Sequence, residues 1–315
     1  MTERAIPLVD LSKYTNGNET EKAEFVQELG KAFTEVGFVG VLNHGISKEL
    51  IGSFYDKSKS FFAQPEEIKR KYEVAGLAGQ RGYTSFGKEH AKHSMHGDLK
   101  EFFQIGQEPD GQVDDVYPNN VQVTETADFT KEGMQLYRSF EHTGAFLLEA
   151  IAKYLHLDPN YFAGKIKNGN SILRAIHYPP ITSEPASAIR SEQHEDINLI
   201  TLLVGASAGG LQVLDKSNAW VSVKPGHDEI VVNVGDMLQR LTNNKLKSTT
   251  HRVVNPPREE WHLPRLSIPF FLHPVSKMEL NCLENCITTE NPLHYEAITA
   301  GAYLDERLRE IGLKK

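Results

Sequence analysis

From residue 171 onward the chain is a succession of short runs rich in β-branched and apolar residues. SILRAIHY, HEDINLITLL, GLQVLD, AWVSV, EIVVNVGDM, THRVV and RLSIPFFL follow one another, punctuated by PPITSEP, DKSN, KPGHD, LTNNK and NPPREE. Pro, Gly, Asn and Asp clusters of that kind end strands and begin turns. Many short strands at this spacing fit a closed or sandwiched antiparallel architecture, and a jelly roll is one of the few that does.

The first half has a different period. Phe25, Val26, Leu29, Phe33 and Val36 recur at three- and four-residue spacing, and Gly37 follows as a helix C-cap. FVGVLNHG then reads as a short strand, Leu50, Ile51, Phe54 and Tyr55 begin a second helical stripe, and QPEE opens a third helix around residues 65 to 72. The longest pattern runs from about Gly133 to Leu157, with Tyr137, Phe140, Phe146, Leu147, Ala150, Ile151 and Tyr154 on one broad face. A last helix, about Tyr295 to Ile311, carries Ala297, Ile298, Leu304, Leu308 and Ile311. There is no internal repeat and no low-complexity linker. The expectation is a mixed α and β chain: a mainly helical region over 1–165, a jelly-roll core over 166–280, and a C-terminal helical segment over 281–315 packing on that core.

Composition narrows the function. The chain has 42 acidic against 34 basic side chains, a net charge of -8, which argues against a protein that neutralises nucleic-acid phosphates. A small-molecule partner is the better default. MTERAIPLVDLSKY lacks the basic start and apolar core of a signal peptide, and LITLLVGASAGGL is too short and Gly-rich to span a bilayer, so a cytoplasmic location is expected. Cys282 and Cys286 read as two reduced thiols, since no second cysteine pair exists to complete a metal site.

The chemistry gathers around QHEDINLITLL. In an extended chain His194 and Asp196 project to one face while Glu195 points away. The next histidine to head a β-branched run is His251, in THRVV, and the strands between let a β-roll bring it beside the first pair. Two histidines and a carboxylate on one side of a metal form the facial triad of non-haem Fe(II) oxygenases, with the opposite positions open. The H-x-D pattern alone is a weak signal. Support comes from RLSIPFF, where Arg265 and Ser267 share a strand face: an arginine fork grips a carboxylate and a hydroxyl adds a donor. Tyr178, on the preceding strand of the pattern, can donate its phenolic proton to the same carboxylate. His90, His93 and His96 lie three apart but have no carboxylate at ligand spacing, and read as a polar loop or helix face. His177 points away from Tyr178 and reads as packing.

HEDINLITLL, LTNNKLKSTTHRVVN and RLSIPFFL resemble the isopenicillin N synthase and 2-oxoglutarate-dependent oxygenase superfamily, and IPLVDLS, GFVGVLNHGIS and RGYTSFGKEHAKHSMHGDLKEFF resemble its N-terminal region. The resemblance covers nearly the full chain in the family's motif order. It implies a double-stranded β-helix with helices packed outside, Fe(II) on His194, Asp196 and His251, and the distal carboxylate of 2-oxoglutarate on Arg265, Ser267 and Tyr178. It also implies O2 as co-substrate and oxidation of a small-molecule C–H bond by hydroxylation, desaturation or ring closure, with release of succinate and CO2. Ile176 departs from the asparagine that many plant members carry. HED and LTNN resemble isopenicillin N synthase in particular, which oxidises its peptide without 2-oxoglutarate and binds substrate with the same arginine and serine. That reading stays open at this point, as does a non-catalytic metal-dependent binding protein on the same fold. For substrate contacts, the resemblance points to Arg81, and face-sharing with Tyr178 points to Arg174. Of Phe102 and Phe103 one is expected in the core and one, Phe103, at the pocket. The C-terminal helix around Tyr303 is a candidate lid.

Overall fold

The computed structural model describes residues 6–77, 79–89, 97–111, 117–185, 187–226, 228–310 and 313. Twelve strands are present among them: β1 (Leu8–Asp10), β2 (Phe38–Leu42), β3 (Gly82–Thr84), β4 (Glu101–Gly106), β5 (Ile172–Tyr178), β6 (Ser191–His194), β7 (Ile200–Val204), β8 (Leu211–Leu214), β9 (Trp220–Ser222), β10 (Glu229–Val234), β11 (His251–Val253) and β12 (Arg265–Leu272). They form an eight-stranded sheet in the order β1-β2-β10-β7-β12-β5-β4-β3 and a four-stranded sheet in the order β6-β11-β8-β9. The core pairs are antiparallel, and the chain passes repeatedly from one sheet to the other, as a jelly roll requires.

The helices form where their patterns place them. Asn18 caps the helix Glu19–Glu35 in a full capping box, accepting from the Thr20 and Glu21 amides while Glu21 accepts from the Asn18 amide. It ends at Gly37, whose φ of 77° is open to glycine and whose Cβ would strike the Lys247 carbonyl. The long helix Phe129–Tyr154 packs across the outside of the large sheet. There Phe140 stacks on Phe270 with centroids 5.5 Å apart, and Tyr137 meets the same ring edge-on at 5.0 Å.

β12 serves this packing and the cavity at once. Leu266, Ile268, Phe270 and Leu272 point into the core against the helices, while Arg265, Ser267, Pro269 and Phe271 point inward to a cavity between the sheets. The period of two thus splits one strand into a structural face and a chemical face.

Three sequence expectations need correction. The N-terminal region is less purely helical than its pattern suggests, because β1, β3 and β4 join β2 in extending the large sheet. β4 escapes a periodicity reading because all six of its residues are buried, so no polar face alternates with the apolar one. The last helix starts at Ala300, not near Tyr295, whose hydroxyl is tied to Asn244 in an irregular segment (2.5 Å). HEDINLITLL is not one strand. β6 ends at His194 in the small sheet, β7 begins at Ile200 in the large one, and Asp196 lies on the crossing between them. Among the described residues no helix is long and apolar enough to cross a membrane.

Candidate active site

His251 opens β11 directly opposite His194, the last residue of β6, and the two imidazole centroids are 4.4 Å apart. Asp196 completes the group: its Oδ1 lies 3.9 Å from His194 Nε2 and 3.8 Å from His251 Nε2. One ligand atom from each of the three falls within 4.8 Å of the others. The convergence therefore depends on a strand pair and a chain crossing, not on one strand face as the i, i+2 spacing suggests.

Every ligand is aimed by a partner on its far side. His194 Nδ1 lies 2.7 Å from the Glu192 carbonyl and His251 Nδ1 lies 3.2 Å from the Thr249 carbonyl. Each Nδ1–H donates to that oxygen, so both Nε2 lone pairs face the centre. Asp196 Oδ2 accepts from Thr201 Oγ1 at 2.7 Å and from Asn233 Nδ2 at 2.8 Å, which leaves Oδ1 for the centre. Burial works against a charged Asp196, but His251, His194 and these two donors outweigh it and hold its pKa below the usual carboxylate value. Burial, then the neighbouring His251, lowers the pKa of His194, which favours the neutral ring that a metal needs. Two imidazoles and one carboxylate, pre-aimed and open on one side, fit Fe(II). Thr201→Val should weaken Fe(II) binding roughly tenfold to a hundredfold with little change in fold. An Fe(II) titration of the variant that matches wild type would dismiss that hydroxyl as an aiming group.

The triad stands on one wall of a cavity of about 830 Å³. Arg265 and Tyr178, which pair directly across β12 and β5, occupy another part of the wall with Ser267. Arg265 Nε donates to the Ala208 and Gly209 carbonyls, each at 3.1 Å, and its carbon lies 4.9 Å from the Tyr178 ring centroid. Its Nη1 is buried without a hydrogen-bond partner. Arg265 also lines the cavity, and a buried guanidinium with only neutral partners is a fitting donor to a carboxylate held there.

A second polar cluster has no signature in the sequence. Arg174 Nη1 reaches Glu89 Oε1 and Oε2 at 3.1 and 3.2 Å, its Nε donates to Gln104 Oε1 at 2.9 Å, and it lies over Phe102 (4.1 Å) and beside Phe271 (5.2 Å). Lys100 is buried between Glu89 and Asp98, 2.8 Å from each, and 3.2 Å from Ser191 Oγ. Burial disfavours charge on Glu89, yet Arg174 and Lys100 hold its pKa at about 2. These groups come together from positions 89 to 191, with no local spacing to announce them. His273 also reaches the cavity; it is buried, its Nδ1 has no hydrogen-bond partner, and burial lowers its pKa to about 4.

The structure does not bring all the expected residues to this cavity. Arg174 lines it. Arg81 does not: its guanidinium is buried against Gly106 and donates to the Gln80 carbonyl, because glycine leaves room there for the arginine head. Phe103 lies in the core among Phe61, Tyr72 and Phe129, whereas Phe102, one residue earlier, faces Ile176 and Tyr178. Strand alternation decides between the two, and β4 offers no pattern from which to read its phase. His177 lies on the opposite face, 2.7 Å from Glu101 and stacked on Phe62. The His90, His93 and His96 group lies outside the described residues. The C-terminal helix supplies Leu304, Arg307 and Leu308 to the cavity wall, and Tyr303 ties it to Asp236 at 3.2 Å.

Comparison with known proteins agrees with this geometry. Residues 6–125 match the family model described as non-haem dioxygenase in morphine synthesis N-terminal, and residues 169–274 match that of the 2OG-Fe(II) oxygenase superfamily. A 2-oxoglutarate-dependent dioxygenase of Aspergillus rugulosus, ecdK, is 32% identical over 94% of this chain and 96% of its own. A 2OG-Fe(II) oxygenase family protein from Caulobacter crescentus superposes with a TM-score of 0.87 at 44% identity, covering 98% of this chain and all of that one (100%). A full-length Neurospora crassa protein, in complex with alpha-KG and thymine, gives a TM-score of 0.86 at 31% identity, covering 98% of this chain and 97% of its own. The chain belongs to the 2-oxoglutarate- and Fe(II)-dependent oxygenases, and His194, Asp196 and His251 are its candidate metal triad.

Proposed function

We propose that this oxygenase oxidises a C–H bond of a small organic molecule by hydroxylation, desaturation or ring closure. Fe(II), O2 and 2-oxoglutarate together supply the oxidising power, with succinate and CO2 as the co-products. The observation that carries the reading is the shared cavity: the aimed triad and Arg265, which has no carboxylate partner among the described residues, line one space of about 830 Å³. That volume suits a co-substrate and a small second molecule together.

In this reading His194, Asp196 and His251 hold the metal. Arg265 and Ser267, with Tyr178 beside them, hold the distal carboxylate of 2-oxoglutarate and so fix which end faces the metal. Arg174 is the substrate contact. Its Nη2 has no partner among the described residues, and Glu89, Gln104 and Phe102 hold the guanidinium still, so it presents a fixed donor to the cavity. Ile172, Ile176, Leu203 and Phe271 supply the apolar wall that excludes water from the reacting carbon.

Succinate release tests the reading, measured over a panel of small acids, peptides and planar heterocycles that includes thymine, the molecule bound in the Neurospora relative. Arg265→Ala should raise the 2-oxoglutarate concentration needed for half-maximal rate roughly tenfold to a hundredfold, the cost of losing charge-assisted hydrogen bonds worth about 1.5–3 kcal/mol. An unchanged requirement in that variant would overturn the assignment of Arg265. Absence of succinate and of oxygen consumption across the panel, in iron-loaded protein, would overturn the reaction.

A further inference from the structure

A second arginine lies close to Tyr178. Arg190, just before β6, is 2% exposed, and its guanidinium carbon lies 6.0 Å from the centroid of the same Tyr178 ring that Arg265 approaches to 4.9 Å. Its Nη2 donates to the Leu263 carbonyl at 3.0 Å, and its Nε is buried without a partner. Arg265 likewise has only carbonyl acceptors and a buried, partnerless nitrogen. Two buried cations therefore approach one phenol ring, and neither has a carboxylate in contact among the described residues. Burial depresses the pKa of Arg190, and the like charge of Arg265 depresses it further.

Like charges are not held together in a protein interior unless something offsets them. Tyr178 supplies a little through its ring face, and the exposed Glu260 a little from a distance. The rest is missing from the protein itself, and the cavity beside Arg265 is where an anion can supply it.

We propose that Arg190 is a positioning and selectivity residue for the co-substrate: a second cation, close to the same Tyr178 ring, that makes the Arg265 site prefer a 2-oxo acid bearing a distal carboxylate. This rests on the assignment of Arg265 to 2-oxoglutarate made above. Arg190 does not line the cavity and does not touch the co-substrate. It adds field at the carboxylate's position, where low dielectric lets a nearby buried charge count without contact. A purely structural arginine, there only to satisfy Leu263, would affect every ligand of the site alike.

The test compares two 2-oxo acids of different reach. 2-Oxoglutarate and 2-oxobutyrate share the 2-oxo acid end, and only the first has the distal carboxylate. Dissociation constants are measured by anaerobic calorimetry on Fe(II)-loaded wild type, Arg190→Gln and Arg190→Lys, with melting temperatures as a record of folding. Arg190→Gln should bind 2-oxoglutarate about tenfold more weakly and 2-oxobutyrate within about twofold of wild type, whereas Arg190→Lys should keep most of the preference. Unchanged 2-oxoglutarate binding in folded Arg190→Gln, or equal losses for both acids, overturns the proposal. If Arg190→Gln does not fold, Arg190→Lys decides: retained preference supports the charge, and equal weakening of both acids refutes it. Wild type that binds Fe(II) but shows no saturable 2-oxoglutarate binding would bring down the co-substrate assignment itself, a result distinct from an indifferent Arg190 variant.

Discussion

Asp196→Ala leaves a folded protein that retains no stoichiometric Fe(II) and releases succinate at least about a thousandfold more slowly, because a metal site worth several kcal/mol to the reaction loses its only anionic ligand. The fold survives for a local reason. The substitution strands two donors, Thr201 Oγ1 and Asn233 Nδ2, at about 1–3 kcal/mol each at most. Asn198 Oδ1 already lies 3.2 Å from Thr201 Oγ1 and can take that hydrogen bond. Iron content after anaerobic reconstitution, read beside circular dichroism, separates lost metal from lost structure. Wild-type iron content or turnover in the variant would remove Asp196 from the triad.

Lys100→Met has the other large effect, on stability. The ammonium group is the shared counter-ion of Glu89 and Asp98, all three are buried, and removing one partner from a buried ionic cluster costs about 3–5 kcal/mol. Denaturant midpoints for wild type and variant measure that loss, and a difference below about 1 kcal/mol would show that the cluster hydrates freely. Acid unfolding gives a second view. Glu89 has its pKa lowered from 4.5 to about 2, so its contribution is fully present above about pH 4.5 and disappears as pH falls through about 2. Lys100→Met removes one of the two cations that keep Glu89 ionised, and its acid limb should move to higher pH.

The same variant also reaches the metal. Asp98 Oδ1 accepts the Glu192 amide at 3.0 Å, and the Glu192 carbonyl receives His194 Nδ1. Loss of Lys100 loosens Asp98, and through one peptide it loosens the ring that must face Fe(II). Weaker Fe(II) binding accompanies the loss of stability.

Those two sites differ in how far the sequence announces them. The triad is legible because several weak signals agree: a histidine and an aspartate two apart, a histidine heading a later strand, and the Arg265 and Ser267 pair beyond it. What the spacing misstates is the route, since Asp196 lies on a crossing between sheets and not on the strand of His194. The arginine end is legible for the opposite reason. β12 is one regular strand, so the period of two puts Arg265 and Ser267 on one face, and both line the cavity. The ion cluster is not legible, because Glu89, Asp98, Lys100 and Arg174 meet only through the pairing of β4 with β5, and β4 is buried on both faces. The same lack of phase is why the pocket expectation falls on Phe103 when Phe102 holds that face. Arg81 is hidden by a glycine 25 residues away in sequence, a void that no local pattern records.

The crossing at Asp196 has a mechanical consequence. His194 and His251 belong to the small sheet, while Asp196 is tied through Thr201 and Asn233 to β7 and β10 of the large one. A metal ion held by all three would join the two sheets at this point. Any ligand that binds only the folded form adds to its stability, about 2.7 kcal/mol at a hundredfold excess over its dissociation constant. For this chain, iron supply should therefore bear on lifetime as well as turnover: metal-free protein is expected to melt lower and to be cleaved faster by a protease than the Fe(II)-loaded form.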